Sequence, residues 1–117
     1  MLNLDSECFT VQNNKIVEGT LRDFERFIET VNTPYGIQRK YFIKRANFQN
    51  NEIWALCYWQ LGVLEKILFT FDDEQSAQSK LEEFAAFDIL NNNEIFIHLN
   101  RKSAENELHN LLEDQTV

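Results

Sequence analysis

The segment that most limits the fold is Glu52–Gln60, where large side chains occupy both sets of alternating positions in an extended chain. One set comprises Ile53, Ala55, Cys57 and Trp59, and the other comprises Trp54, Leu56 and Tyr58. A strand that is apolar on both faces belongs in the middle of a sheet, because both faces need cover. The sequence therefore predicts a sheet with this segment as its central strand.

Short connections on both sides of this segment predict antiparallel neighbours. Residues 39–48 are rich in aromatic and β-branched side chains, and residues 64–71 place Ile67, Phe69 and Phe71 on one face. Three-residue turns at 49–51 and 61–63 join the three strands, so we expect an antiparallel meander. Near the N-terminus, Asn13 and Asn14 tolerate the left-handed turn geometry of a tight hairpin, which predicts paired strands within residues 7–18.

Helical spacing and capping residues predict three helices. The first begins at Thr20, where Asp23 completes a variant capping box, and continues through apolar positions to Val31. A second helix follows Asp72-Asp73-Glu74, and a third begins at Ser103 after a strand over 94–99. The predicted order is ββαβββαβα in a single domain spanning residues 1–117. The fold class is α+β, with a mainly antiparallel sheet and helices mostly on one face.

Several functional classes find no support in the sequence. The three glycines stand alone, which excludes a phosphate-binding loop, and the two histidines lack the spacing of a zinc site. Cys57 and His98 form the one Cys/His pair on strands that could be neighbours, but Cys57 lies in the most apolar segment. We therefore expect no enzyme activity, no catalytic residues, no cofactor and no metal.

The cysteine content and the N-terminus favour a cytoplasmic location. Cys8 and Cys57 lie far apart without a CxxC motif, which is typical of free thiols in a reducing compartment. The N-terminus, which begins Met1-Leu2-Asn3-Leu4-Asp5, has no basic segment before an apolar one, so we expect no secretory signal. The longest apolar run, residues 53–59, is too short to span a membrane.

The charge distribution favours a basic protein partner. The chain carries nineteen acids and eleven bases for a net charge of −8, and residues 67–117 hold eleven of those acids. Such an excess opposes binding to nucleic acid or to an anionic membrane. The basic pairs Arg39-Lys40 and Lys44-Arg45 are better explained as charges that protect an outer strand from aggregation.

The aromatic content of the predicted meander exceeds what three modest helices can cover. If helices cover one face of the central strand, the other face needs a second cover, which the N-terminal hairpin is able to supply. Otherwise the uncovered face is an interface, because tryptophan and tyrosine are typical anchors of binding energy.

These features lead to a functional hypothesis, with two alternatives. A small acidic protein without catalytic motifs fits an inhibitor such as an immunity protein, which neutralises a nuclease-type bacterial toxin by occluding its basic active-site groove. The alternatives are a homo-oligomeric structural subunit, such as a homodimer that associates through an aromatic sheet face, and a phage anti-defence inhibitor. The residues expected to contact the partner are Asp72, Asp73, Glu74, Glu82, Glu83, Asp88, Glu94, Trp54, Tyr58 and Trp59.

Overall fold

The computed structural model describes residues 1–114 and confirms the α+β class. Within that range, seven strands form three antiparallel sheets, β1–β2, β3–β4 and β5–β6–β7. The strands are β1 (Glu7–Gln12), β2 (Lys15–Thr20), β3 (Thr30–Thr33), β4 (Gly36–Arg39), β5 (Tyr41–Phe48), β6 (Asn51–Gln60) and β7 (Leu64–Phe71). A 3₁₀ helix (Leu21–Phe27) follows β2, and two α-helices, α1 (Glu74–Leu90) and α2 (Arg101–Asp114), follow β7.

The N-terminal hairpin forms as predicted, with β1 and β2 joined by a turn in which Asn13 and Asn14 have φ of +53° and +61°. The predicted strand over 94–99 is wrong, because only His98 pairs with a strand, in a single antiparallel bridge to Phe9. The Asn92 side chain accepts the backbone N–H groups of residues 94 and 95, so this stretch begins as a turn. The predicted strand is therefore reduced to one bridge.

The predicted helix from Thr20 to Val31 is also wrong beyond its first turns. The capping box at Thr20 and Asp23 is present, but it opens a 3₁₀ helix in which Phe24 departs from helical geometry. Residues 30–33 instead form β3, and the turn at 34–35 leads into β4. The proline that indicates a helix stop in the sequence lies in the turn of this hairpin, where a fixed φ is favourable.

The three-stranded sheet confirms residues 52–60 as its central strand, within β6. One face of the sheet packs against α1, where the Phe84 ring stacks on Tyr41 at 4.9 Å and contacts Phe69 at 6.4 Å between ring centroids. Strand register places Tyr58 and Leu56 on this same face. We call it the helix face, and the opposite face, which contains Cys57 and Trp59, the open face.

The main core lies beside the C-terminal turns of α1. Leu21 and Ile89 are fully buried there, together with Cys8, Ala86 and neighbouring apolar residues of the 3₁₀ helix. The second helix packs against β1 and β2 beside this core. The radius of gyration is 18.2 Å, whereas a compact domain of this length has about 13 Å. The molecule is therefore elongated, and α1 joins a packed core to a three-stranded sheet that extends from it.

Candidate protein-binding surface

Two loops meet beside the open face of the sheet. The turn between β6 and β7 approaches β3 so closely that a Cβ on Gly62 would lie 2.3 Å from the carbonyl oxygen of Asn32. Asn32 is paired with Ile37 across the β3–β4 hairpin, so Ile37 lies beside the same contact. At the end of that hairpin, the Tyr35 ring lies 6.3 Å from the Trp59 ring. These contacts bring the two loops together.

The loops carry large apolar side chains that contact solvent rather than core. Leu61 is 92% exposed, Tyr35 79% and Ile37 74%, and the neighbouring Val63 and Leu64 are exposed as well. Isolated apolar residues on a surface are ordinary, but a group at one location is typical of an interaction site. We call these five residues the two-loop surface.

Backbone bonds and turn geometry fix the position of the two-loop surface. The Lys40 N–H donates to the Glu29 carbonyl at 3.0 Å and closes the base of the β3–β4 hairpin. The Trp59 N–H then donates to the Lys40 carbonyl, also at 3.0 Å, which ties that base to β6. Leu61 adopts a left-handed φ of +54°, which costs an L-residue about 1–2 kcal/mol. Its side chain contributes no burial to offset that cost, so the turn presents Leu61 outward at the expense of stability.

Trp59 forms the floor beneath this surface. Its side chain is only 5% exposed, and its ring contacts Phe42 as well as Tyr35. The indole Nε1–H is the one buried side-chain polar atom among residues 1–114 that has no hydrogen-bond partner. A buried donor without an acceptor is uncommon in folded proteins, so this position combines a polar deficit with an adjacent apolar surface.

The predicted acidic residues do not share one face. Asp72, Asp73 and Glu74 are exposed where β7 meets α1, and Asp73 caps the helix by accepting the Ser76 N–H at 2.7 Å. Glu94 is exposed in the connection between the two helices. Asp72, Glu74 and Glu94 have no ion pair within the described part of the chain, so their charges are available to a partner.

The remaining predicted acids have partners within the protein. The Arg22 guanidinium lies 3.7 Å from Glu82, and the Lys80 ammonium lies 3.1 Å from Glu83. Asp88 accepts the backbone N–H of Glu29 at 3.0 Å, and burial raises the pKa of its carboxyl. Asp88 therefore links α1 to the base of the β3–β4 hairpin and has a structural role.

The three predicted aromatic anchors lie on different faces of β6. Trp54 and Tyr58 are half-buried on the helix face, where Arg45 lies over the Trp54 ring and Tyr58 contacts Tyr41. Trp59 lies on the open face beneath the two-loop surface, and it is too buried to contact a partner directly. The exposed apolar residues instead belong to the turn at 61–63 and to the β3–β4 hairpin, which contain none of the predicted contact residues.

The cysteines and histidines are not arranged as a catalytic pair. Cys8 and Cys57 are free and buried, and burial is the main cause that raises the pKa of each thiol. His98 bridges β1 and contacts Glu107 at 2.6 Å, whereas Cys57 lies in the separate three-stranded sheet. Residues 1–114 contain no group of three His, Cys, Asp or Glu side chains placed to hold a metal ion.

The sequence contained a signal for the hairpin that builds half of the two-loop surface. β-Branched residues at Thr30, Val31 and Thr33 precede a Pro-Tyr-Gly turn, which is the pattern of a strand entering a hairpin. The helical spacing that begins at Leu21 extends as far as Val31 and obscures this signal. The sequence has no comparable signal for the exposure of the turn at 61–63, because an apolar turn is equally compatible with a buried position.

Comparison of this chain with protein families, curated proteins and solved structures gives no match. No helix within residues 1–114 has the length and apolar character needed to cross a membrane.

Proposed function

We propose that this protein binds another protein and acts by covering the partner's working surface. The observation that carries the proposal is the two-loop surface, where five exposed apolar side chains are held in place by the contact between Gly62 and Asn32. A preordered apolar patch loses little conformational freedom on binding, and that favours affinity. Tyrosine, here the exposed Tyr35, is one of the residue types enriched in binding hot spots.

In its most specific form, the proposal is an immunity-type inhibitor in the cytoplasm that neutralises a nuclease-type toxin. The support is the net charge of −8 together with the unpaired acids Asp72, Glu74 and Glu94 in the described chain. A nuclease presents a cationic groove to phosphates, so an acidic protein is steered toward it and competes for it. The apolar contact then supplies the short-range affinity, and the acids supply the rate of encounter.

The apolar contact and the acidic steering are expected to affect different rate constants, so variants of the two sets of residues should behave differently. Replacing Ile37 and Leu61 with lysine places charge at the proposed contact and is expected to increase the dissociation rate strongly. Replacing Asp72 and Glu74 with lysine is expected to lower the association rate and to weaken its dependence on salt. Neither pair has buried side chains, so both variants should retain the fold.

The experiment is affinity capture from lysate of the native host with three tagged proteins. They are the wild type, the double variant Ile37→Lys/Leu61→Lys, and Phe96→Lys as a matched control at another exposed apolar side chain. The proposal expects a stoichiometric basic partner with the wild type and the control but not with the double variant. Added to the isolated partner, the wild type should then block cleavage of plasmid DNA. Capture of the same partner by all three proteins would refute the role of the two-loop surface.

A further inference from the structure

The two outer edges of the three-stranded sheet differ in how they meet solvent. The outer edge of β5 carries Lys44 and Arg45, and its residues from Tyr41 to Lys44 are half-buried. On β7, by contrast, every residue from Leu64 to Thr70 is exposed. An exposed strand edge presents unpaired backbone N–H and C=O groups, which form a template for another strand.

The side chains of β7 make its exposed edge apolar as well. Ile67, Leu68 and Phe69 are all large, apolar and exposed, with Ile67 at 54%. Natural edge strands avoid pairing with charges, prolines, bulges or short length. This strand is eight residues long and has only Glu65, Lys66 and a bulge near Leu68 as protection. An edge of this composition is expected to acquire a neighbour.

Helix α1 extends the apolar surface on the helix face of this edge, where Phe69 lies. The bulge near Leu68 pairs Ile67 with Cys57 and places it on the open face, so the prediction that Ile67, Phe69 and Phe71 share one face is wrong. Lys80, Glu83, Phe84 and Phe87 follow one another at the 3–4–7 spacing of a single helix face and line an open groove of about 260 Å³. Phe84 and Lys80 both contact the Phe69 ring of β7, so groove and edge are continuous. Phe87 is 63% exposed in this groove. Within residues 1–114, an uncovered apolar stripe of α1 therefore lies beside an uncovered strand edge.

The charges of this surface identify its occupant. The surface carries Glu65, Lys66, Lys80 and Glu83, which are two acids and two bases, whereas the whole chain has a net charge of −8. A basic partner is not attracted to a neutral surface, but two copies of an acidic protein can meet there without net local repulsion. An edge strand is also complementary to its own copy, since an antiparallel pair follows from a two-fold axis.

We propose that two copies of this chain form a dimer by pairing the outer edges of their β7 strands in antiparallel orientation. The two three-stranded sheets become one six-stranded sheet, and the two α1 helices lie side by side on its helix face. At about 3.4 Å per residue, an eight-residue strand gives an edge of about 27 Å. Standard interfaces bury about 800 Å² per partner, so the proposed dimer needs contacts from the helix layer as well as from the strand edge.

The test is the mass in solution, measured by sedimentation equilibrium over a concentration series. The wild type is expected to approach twice 13.9 kDa at high concentration. Ile67→Lys introduces a charge at the edge of each copy, so one substitution acts twice in a symmetric dimer, and dimer dissociation should increase at least about tenfold. Phe87→Glu tests the helix stripe independently and decides the matter alone if Ile67→Lys fails to fold.

Ile37→Lys is the matched control, because it introduces the same charge at an exposed isoleucine outside the edge. It should leave the dimer intact while it disrupts the partner contact proposed above, so the two proposals succeed or fail separately. A wild type that stays at the monomer mass at the highest concentration would overturn the dimer. Equal dimerisation of the wild type, Ile67→Lys and Phe87→Glu would overturn it as well.

Discussion

Helix α1 contacts two regions that use apolar residues in opposite ways. At its C-terminal end, Ala86 and Ile89 are fully buried in the core with Leu21 and Cys8. Through Lys80 and Phe84, the same helix covers one face of a sheet whose turns and outer edge expose leucine, isoleucine and phenylalanine. Burial of apolar surface drives folding, while exposed apolar surface drives association. The proposed function and the proposed dimer therefore assign binding to the exposed turns and outer edge of the sheet, while the packed core contributes to stability.

The largest expected contrast is between a core residue and a residue of the two-loop surface. Ile89→Ala removes a fully buried side chain and should lower the free energy of unfolding by about 2–5 kcal/mol. Leu61→Ala, at a side chain that is 92% exposed, should change it by less than about 0.5 kcal/mol. Urea denaturation of both variants measures the contrast, and similar losses for the two would break the comparison.

The next contrast uses two glycines in turns of the sheet region. Gly62 has φ of +74° and no room for a Cβ beside Asn32, so Gly62→Ala should cost more than about 2 kcal/mol through backbone strain and overpacking. Gly36 has φ of +101° but open space around it, and Gly36→Ala should cost about 1 kcal/mol. Thermal unfolding of the two variants separates the cost of backbone strain, which both variants have, from the cost of overpacking, which only Gly62→Ala has. Equal losses of stability in the two variants would mean that the contact between the two loops does not stabilise the fold.

A smaller effect is expected at the joint between the two regions. Asp88→Ala removes the acceptor for the Glu29 N–H and should cost about 1 kcal/mol. Asp88→Asn keeps an acceptor oxygen and should cost less, because burial already disfavours the charged carboxylate.

The pH dependence of stability checks this assignment. Burial raises the folded-state pKa of Asp88, so its contribution is largest below the unfolded pKa of about 3.9 and declines as the pH rises through the folded pKa. The Asp88→Asn variant has no carboxyl to titrate here, so its free energy of unfolding should not show this decline. Between the unfolded and the folded pKa of Asp88, the stability of the variant relative to the wild type should therefore rise with pH. A relative stability that falls instead would contradict the assignment.

The smallest effect concerns the ion pair on the open face of the sheet. Lys44 on β5 lies 3.0 Å from Glu65 on β7, and this bond, which spans the central strand, raises the pKa of the lysine. Both side chains are about 40% exposed, so solvent screens the pair. A double-mutant cycle with Lys44→Met and Glu65→Gln should give about 0.2–1 kcal/mol, decreasing with added salt. A coupling energy that does not change with added salt would indicate that solvent does not reach the ion pair on the open face.

The sequence was most informative where local chemistry decides the structure. The Asn13-Asn14 turn, the central strand over 52–60 and the acidic start of α1 all follow from residues whose conformational preferences agree with their neighbours. The segment from Leu21 to Val31 fails this condition, because its apolar spacing fits a helix while its last residues are β-branched. Tertiary contacts then favour the hairpin, since β3 packs against the turn at Gly62.

The binding surface was less predictable for a physical reason. The pattern of residues indicates which side chains are apolar, but not which of them a partner element covers. Trp59 and Leu61 are both apolar and lie two positions apart, yet one is 5% exposed and the other 92%. That difference arises from the β3–β4 hairpin, whose position depends on contacts far apart in the chain. The acids likewise separate into Asp88, which holds the hairpin base, and Asp72, which faces solvent.

The most direct test of the account is one paired measurement on Ile37→Lys/Leu61→Lys and the wild type. It combines the melting temperature of each protein with the amount of partner that each captures from native-host lysate, with Phe96→Lys as the control. The account predicts equal melting temperatures and loss of the partner from the double variant alone. A double variant that melts well below the wild type, or that retains the partner, would contradict the claim that the two-loop surface serves binding rather than stability.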